Sequence, residues 1–292
     1  MHSYLRSVGF KNIKHNKEVK ALISQVIEEP DSCAYVTSDD DYTYVEYRKK
    51  FAANMGIAVC GSFSDDDEFE YEYYFPYFIS DTVSSNENVT IEKLSDKDSF
   101  AGVCDEYKVG VSLIFYLQNK MDYLRELFKG NLPLKNTTVN FSGLASNGMI
   151  VLPLVKNDNQ KEIIKRETKA RTKLIAAAKS GDETAIESLT LDDIDTFSMV
   201  SRRIRKQDVF SLVDTYFMPS GVECDHYSIM GEIIDYEMVT NHLTNEKIYI
   251  ISLKSNDLDI EVCINKDDLI GEPAISRRFK GEVWMQGSVM FP

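Results

Sequence analysis

The chain has 292 residues, of which 43% are hydrophobic and 11% aromatic, proportions that fit a packed globular protein and exclude a disordered one. Its formal net charge of −14 and pI near 4.8 disfavour general binding to nucleic acid or to an anionic membrane. The five cysteines are widely spaced and include no C-x-x-C pair, so the sequence predicts neither a zinc site nor a disulfide framework. The N-terminus lacks the features of a signal peptide, and no apolar run reaches the roughly 20 residues of a membrane-spanning helix. We therefore expect a cytoplasmic protein.

Residues 1–156 predict an N-terminal α+β domain. Its first element is a helix over 16–29, because apolar residues recur every three or four positions and the pattern stops before Pro30. The residues of this stripe are Val19, Leu22, Ile23, Val26 and Ile27.

Several strands follow the helix and predict a mainly antiparallel sheet. Residues 33–50 have the pattern of a hairpin with an acidic turn at 38–41, and "MGIAVCGSF" is typical of a buried strand. "VGVSLIFYLQN" predicts another apolar strand, and "TTVNFSGLA" with "GMIVLPL" predicts a further hairpin. A half-buried strand with an acidic outer face and an aromatic inner face is predicted from the alternation of Glu68, Glu70 and Glu72 with Phe69, Tyr71 and Tyr73.

Residues 157–206 predict a helical connector, since they contain no proline and only one glycine. A first helix begins near Asp158 and ends at Gly181, and a short second helix follows it. Thr190 and Asp193 resemble a capping box at the start of a third helix. The basic run "SRRIRK" at 201–206 fits the C-terminal end of that helix, where it complements the helix dipole.

Residues 207–292 predict a C-terminal β-rich domain with five strands and a short helix before the last one. Such a set can close into a small barrel, or it can form an open sheet packed on the helices. The overall fold class predicted is therefore α+β.

No common catalytic motif is present, since the sequence lacks a phosphate-binding loop, a dinucleotide fingerprint, an H-E-x-x-H pair and a G-x-S-x-G elbow. The most suggestive histidine lies in "ECDHY" at 223–227, where a metal or thiol site is one interpretation and a polar turn before a strand is the favoured one. The acidic runs at 38–41 and 64–68 lack the spacing of a calcium loop. Glu68, Glu70 and Glu72 lie on one strand face, so they do not oppose each other as glycosidase carboxylates do. The sequence predicts no catalytic residue, metal or cofactor.

The closing segment, 271–292, carries the candidate binding residues. Alternation in a strand from Phe279 separates an apolar face from a polar face that includes the only tryptophan. A polar face with tryptophan, arginine and glutamine is typical of a binding surface, but the favoured interpretation is that Trp284 lies under the helices or against the N-terminal domain as an anchor. The candidate residues are Arg277, Arg278, Lys280, Trp284 and Gln286.

Four strings resemble an uncharacterised protein family of clostridia known as a domain of unknown function. They are "MHSYLRSVGF", "VGVSLIFYLQN", "LTLDDIDTFSMVSRRI" and "VCINKDDLIGEPAISRRFKGEVWMQG", and the resemblance spans the whole chain. It implies a cytoplasmic bacterial protein, and it implies no activity, ligand or site residue.

These observations favour a non-catalytic binding or interaction protein whose partner is a small molecule or another protein. One alternative is an oligonucleotide-binding module built on the C-terminal β-region, which the negative charge makes unfavourable. A second alternative is an enzyme of unfamiliar type that uses carboxylates and tyrosines.

Overall fold

The computed structural model describes most of the chain outside the central connector. The described residues are 2–38, 42–64, 68–94, 99–106, 109, 111–132, 137–153, 166, 170–171, 173–175, 177–178, 181–189, 191, 213–222 and 224–291. None of the helices in these ranges is long and apolar enough to cross a bilayer. The fold class is α+β, as predicted: among the described residues, two sheets account for most of the chain, and the helices are few.

A four-stranded antiparallel sheet is formed by consecutive strands in the order β1-β2-β3-β4. It is packed against a 3-10 helix, Ser3–Val8, and an α-helix, Asn16–Glu28 (α1). Val19, Leu22 and Val26 of α1 are buried, which confirms the predicted apolar stripe. The strands are Ser32–Thr37 (β1), Thr43–Ala52 (β2), Met55–Phe63 (β3) and Phe69–Phe78 (β4).

The simple alternation predicted for β4 is wrong at its start. The register shifts between Cys60 and Gly61 of β3, so Tyr73 and Tyr71 pair with adjacent residues and Glu72 is the extra residue of a bulge. As a result Tyr71 is 47% exposed, while Tyr73 is buried.

A second sheet has ten strands and joins regions that the sequence analysis assigned to different domains. A nine-residue helix, Lys120–Phe128 (α2), lies between its strands β7 and β8. The strands are Val89–Lys93 (β5), Phe100–Glu106 (β6), Val111–Leu117 (β7), Thr138–Val151 (β8), Tyr216–Pro219 (β9), His226–Thr240 (β10), Lys247–Ser255 (β11), Leu258–Asn265 (β12), Leu269–Ile270 (β13) and Arg278–Met290 (β14).

The C-terminal strands do not form a clean barrel by themselves. β8 pairs in parallel with β12 and antiparallel with β14, so a ring β8-β12-β11-β10-β14 closes only with a strand from before residue 157. The sheet also continues from β14 through β7 to β6 and β5. The division into domains at 156 and 206 stays a prediction, but hydrogen bonds join the strands on both sides of it.

The hairpin predicted for 137–154 is wrong, because β8 is one continuous strand of 14 residues. Asn147-Gly148 has the composition of a tight turn, but it follows a bulge in a strand that pairs with β14 along its whole length. A Cβ on Gly148 would lie 2.5 Å from the Phe279 ring, so this glycine makes room for a core side chain.

The described part of the central connector agrees with the predicted helices. Gly181 has a φ of +88° and its N–H donates to Ala178 O, as expected for a residue that ends a helix. Residues 183–189 are helical, and Asp182 caps this helix by accepting from the N–H groups of Thr184 and Ala185. The predicted third helix and the basic run at 201–206 fall almost entirely outside the described residues.

Candidate functional site

A cavity of about 450 Å³ lies where β4 of the four-stranded sheet faces β7 and β14 of the ten-stranded sheet. The first 3-10 helix and the turn before β10 close its sides. We call it the Trp284 pocket. Its aromatic lining consists of His2, Tyr4, Tyr73, Tyr74, Phe75, Tyr116, His226 and Trp284.

Trp284 lies at the centre of the aromatic lining and is only 5% exposed. Its ring centroid is 4.7 Å from that of His2, 5.1 Å from that of Tyr116 and 5.7 Å from that of Tyr4. The rings are tilted against one another, a favourable arrangement for aromatic side chains. Because Trp284 contacts residues from three separate parts of the chain, it fixes the geometry of the whole pocket.

Asp225 joins Trp284 to a histidine. Its Oδ2 accepts from Trp284 Nε1 at 2.7 Å, and its Oδ1 lies 2.9 Å from His226 Nδ1. The backbone of Asp225 is held as well, since its carbonyl accepts from the N–H of Met285. One carboxylate therefore orients both an indole and an imidazole at the edge of the pocket.

Tyr73, another residue of the pocket lining, is backed by a buried lysine. Lys120 is 2% exposed, and its Nζ donates to the hydroxyl of Tyr73 at 2.9 Å. The hydroxyls of Tyr73 and Tyr116 are hydrogen-bonded to each other, and Cys60 lies beside them. Burial raises the pKa of both tyrosines far above the usual range and the pKa of Cys60 to about 12. These tyrosines are therefore neutral hydrogen-bonding groups at neutral pH.

Tyr74 completes the rim of the pocket and is half-buried. Its hydroxyl accepts from the backbone N–H of His2 at 3.0 Å. Burial raises the pKa of Tyr74, and the bond from His2 partly opposes this shift.

Of the five candidate residues predicted from the sequence, the structure brings only Trp284 to the pocket. Arg277 is half-buried and donates to the carbonyl of Glu272, and Lys280 is half-buried further along β14. Arg278 is 3% exposed, and its guanidinium donates to the carbonyls of Leu152 and Val213 at 2.8 Å each. Arg278 therefore holds the chain on both sides of the central connector.

Gln286 is fully buried in a hydrogen-bond network between the two sheets. Its Nε2 donates to the carbonyl of Pro76, and its Oε1 accepts from the N–H of Phe78 and from Gln118 Nε2. The interpretation of Trp284 as an anchor against the N-terminal region agrees with its contacts to Tyr116 and Tyr4. Arg278, Trp284 and Gln286 of the predicted polar face are thus covered by other parts of this chain, whereas Glu282 on the same face is exposed.

The other charged segments are "ECDHY", the two acidic runs and the glutamates of β4. Each lies where the sequence predicted or falls outside the described residues. Cys224 and Asp225 form a turn before β10, as predicted, and Cys224 is exposed. Glu223 and the centres of the acidic runs at 38–41 and 64–68 lie outside the described residues. On β4, Glu70 is exposed and Glu72 is half-buried.

Sequence reasoning missed most of the pocket. Adjacent residues in a strand point to opposite faces, so Asp225 and His226 were not expected to meet. They do meet, because Asp225 still belongs to the turn. The concentration of tyrosines in "YEYYFPYF" is the one sequence feature that could have indicated the pocket. Nothing in the sequence shows that these residues lie near Trp284.

The fold and the pocket define an α+β protein with an aromatic cavity between two sheets and a carboxylate-held histidine at its edge. The family model described as "Domain of unknown function, E. rectale Gene description (DUF3881)" matches residues 5–287. The chain therefore belongs to this family, which confirms the resemblance seen in the sequence. No curated protein and no solved structure matched the chain.

Proposed function

We propose that the Trp284 pocket binds a small planar molecule and that this protein is a non-catalytic, cytoplasmic binding protein. The observation that carries the proposal is the convergence of eight aromatic rings on one cavity. Aromatic rings bind planar molecules by stacking, and binding pockets commonly combine such rings with a few oriented polar groups. Asp225, His226 and Tyr74 supply polar groups at the edge of this pocket.

The size of the cavity supports a small-molecule ligand. Its volume of about 450 Å³ falls within the range of roughly 300–1,000 Å³ that is usual for ligand pockets. The aromatic walls come from two sheets and a 3-10 helix whose cores are packed, so the pocket is formed before a ligand enters. A preformed site loses little conformational entropy on binding.

The state of the cysteines supports a reducing compartment. All five are free, and Cys60, Cys104 and Cys263 are buried among apolar side chains. Disulfides are rare in cytosolic proteins, whereas free buried thiols are common there.

A screen of planar small molecules tests the proposal. The chain has one tryptophan, so a ¹H–¹⁵N spectrum contains one indole N–H signal, and this signal reports directly on the pocket. We expect ligands to shift this signal and Tyr74→Ala to weaken their binding by about tenfold, the loss of about one stacking contact. Tyr35→Ala is the matched control, because Tyr35 is 66% exposed and lies outside the pocket lining. The proposal fails if no compound moves the signal, or if the two variants weaken binding equally.

A specific observation also favours the enzyme alternative. Asp225 holds His226 through Nδ1, the arrangement that orients a histidine for proton transfer in many enzymes. A broad hydrolase and transferase screen of the wild type and His226→Gln tests it. Turnover that is lost in His226→Gln supports catalysis, and the absence of turnover in the wild type opposes it.

The remaining alternatives stay predictions. A protein partner needs a surface that the pocket does not supply. An oligonucleotide module would have to work without Arg278 and Gln286, whose polar atoms bond to other parts of this chain.

A further inference from the structure

The second half of β10 has a free edge. β14 pairs with β10 only as far as Glu232, whereas β11 pairs with the opposite side of β10 as far as Thr240. The last backbone bonds on the β14 side join Ile233 to residues 276 and 277. Beyond them, no strand among the described residues pairs with this side of β10. We call the segment 234–240 the β10 edge.

Alternation along the β10–β11 hairpin shows which backbone groups face away from β11. The N–H of Asn241 donates to the carbonyl of Glu246 on the β11 side. In an antiparallel pair only every second residue bonds to the partner strand, so the N–H and C=O groups of Tyr236, Met238 and Thr240 face the free side. Such a row of backbone groups is a template on which another chain can add a strand.

The side chains of the β10 edge alternate between apolar and acidic. Tyr236 and Met238 lie on one face and are 40% and 49% exposed. Asp235 and Glu237 lie on the other face and are exposed. The Asp235 carboxylate accepts from the N–H of Tyr236 at 2.9 Å, so an added strand would bond mainly to Met238 and Thr240. Neighbouring side chains on adjacent strands interact, and the alternation therefore favours a partner that places basic residues beside Glu237 and apolar residues beside Met238.

A second copy of this chain fits the β10 edge less well. Two antiparallel copies of this edge, related by a twofold axis, would place Asp235 and Glu237 of both copies on the same face of the joined sheet. Like charges on adjacent strands are destabilising, and each chain carries a net charge of −14. The acidic residues thus oppose self-pairing of the edge and favour a basic partner.

We propose that the β10 edge binds an extended segment of a partner protein in which basic and apolar residues alternate. The segment adds a strand to the ten-stranded sheet, with its backbone bonded to Met238 and Thr240 and a basic side chain beside Glu237. The β10 edge lies outside the lining of the Trp284 pocket, so this interaction is independent of the ligand of that pocket.

The probe is a fluorescent peptide of alternating lysine and valine, whose binding is followed by anisotropy. A peptide with proline in place of valine has the same charge but cannot form a regular ladder, because proline has no N–H. Glu237→Lys removes the acidic side chain, and Met238→Pro removes an N–H that faces away from β11. Glu92→Lys is the matched control, because Glu92 is an exposed glutamate on the edge strand β5 and its replacement changes the net charge equally. Melting temperatures check that each variant is folded.

We expect the wild type to bind the lysine–valine peptide about tenfold more tightly than the lysine–proline peptide. Glu237→Lys and Met238→Pro should each weaken binding of the lysine–valine peptide about tenfold, since one loses a charge pair and the other a backbone bond. Glu92→Lys should stay within about twofold of the wild type. In ¹H–¹⁵N spectra the amide signals of Met238 and Thr240 should shift on binding.

Absence of binding, or equal binding of the two peptides by the wild type, would overturn the proposal, because charge alone attracts both. Equal affinity of Glu237→Lys and Glu92→Lys would also overturn it, and this comparison decides the outcome if Met238→Pro does not fold. A wild-type dimer in sedimentation that either β10 variant dissociates would show that a second copy occupies the edge and would overturn the choice of partner.

Discussion

Both faces of β14 carry buried residues, but the chemistry of these residues differs. On one face Phe279, Val283, Met285 and Val289 belong to an apolar cluster with strands β8, β10, β11 and β12. On the other face Arg278, Trp284 and Gln286 bond to carbonyls, a carboxylate and an amide from distant parts of the chain.

Within one strand, the apolar residues contribute mainly to the stability of the fold, and the polar residues contribute mainly to the specificity of its packing. Apolar side chains need close packing, and many combinations of similar volume satisfy that need. Each buried polar group needs a particular partner, because an unpaired group costs free energy. We call the two faces the apolar face and the polar face. The polar face therefore determines how the two sheets pack against each other, and the Trp284 pocket lies at that junction.

Alkaline pH should have the largest effect, and it should act mainly through the polar face. Burial raises the pKa of Tyr77 to about 12 and the pKa values of Tyr73 and Tyr116 still further, and all three belong to the cluster beside this face. In the unfolded chain they ionise near pH 10, so the unfolded state loses protons first. Their stabilisation is complete below that pH and is lost as pH rises, by at most about 1.4 kcal/mol per pH unit for each tyrosine.

Urea unfolding at about pH 8 and about pH 11 measures this loss. The double variant Tyr73→Phe/Tyr116→Phe should lose less stability between the two pH values than the wild type. Tyr35→Phe is the control, since Tyr35 is exposed. Identical pH dependence in the wild type and the double variant would contradict the assignment.

Truncation on the apolar face should have the next largest effect. Phe279 is fully buried, and Phe279→Ala should lower the free energy of unfolding by about 3–5 kcal/mol through lost burial and a cavity. Met290→Ala on the same strand should change it by less than about 0.5 kcal/mol, because Met290 is 56% exposed. Denaturant unfolding followed by circular dichroism gives both values, and similar losses would show that Phe279 is not packed as described.

Disruption of the Gln118–Gln286 pair should cost less, but it should show coupling. Gln286→Leu leaves the amide of Gln118 and the carbonyl of Pro76 without a bond partner from residue 286, at a cost of about 1–3 kcal/mol. The double variant Gln118→Leu/Gln286→Leu should lose less stability than the two single variants together. Additive losses in this double-mutant cycle would mean that the pair does not act as a unit.

Thiol labelling should have the smallest effect on the protein. It compares the accessibility of cysteines near the two faces in the native state. At about pH 8 we expect only Cys33 and Cys224 to react with a disulfide reagent, because both are exposed. Burial raises the pKa of Cys60, beside the polar face, to about 12 and that of Cys104, in the apolar cluster, to about 11. Mass spectrometry identifies the labelled residues, and rapid labelling of Cys60 would show that the polar face opens readily.

The sequence predicted what local patterns encode. Periodicity located α1 and the buried strand β3, and alternation separated the two faces of β14 correctly. The hairpin predicted for 137–154 was wrong, because the long antiparallel partner of β8 lies more than 120 residues away. The pocket was not predictable for the same reason. Trp284 meets Tyr116 and His2 only through the tertiary fold, and pairing at such separations leaves no trace in a single sequence.

The two carbonyls bound by Arg278 have a consequence for the topology of the chain. The carbonyls of Leu152 and Val213 both accept from one guanidinium group, so the two ends of the 60-residue stretch between them lie close together. Because the two ends are held together, lengthening the stretch between them costs little closure entropy. The position thus behaves as an insertion point, where a segment can be exchanged for another while the pocket and its strands keep their arrangement.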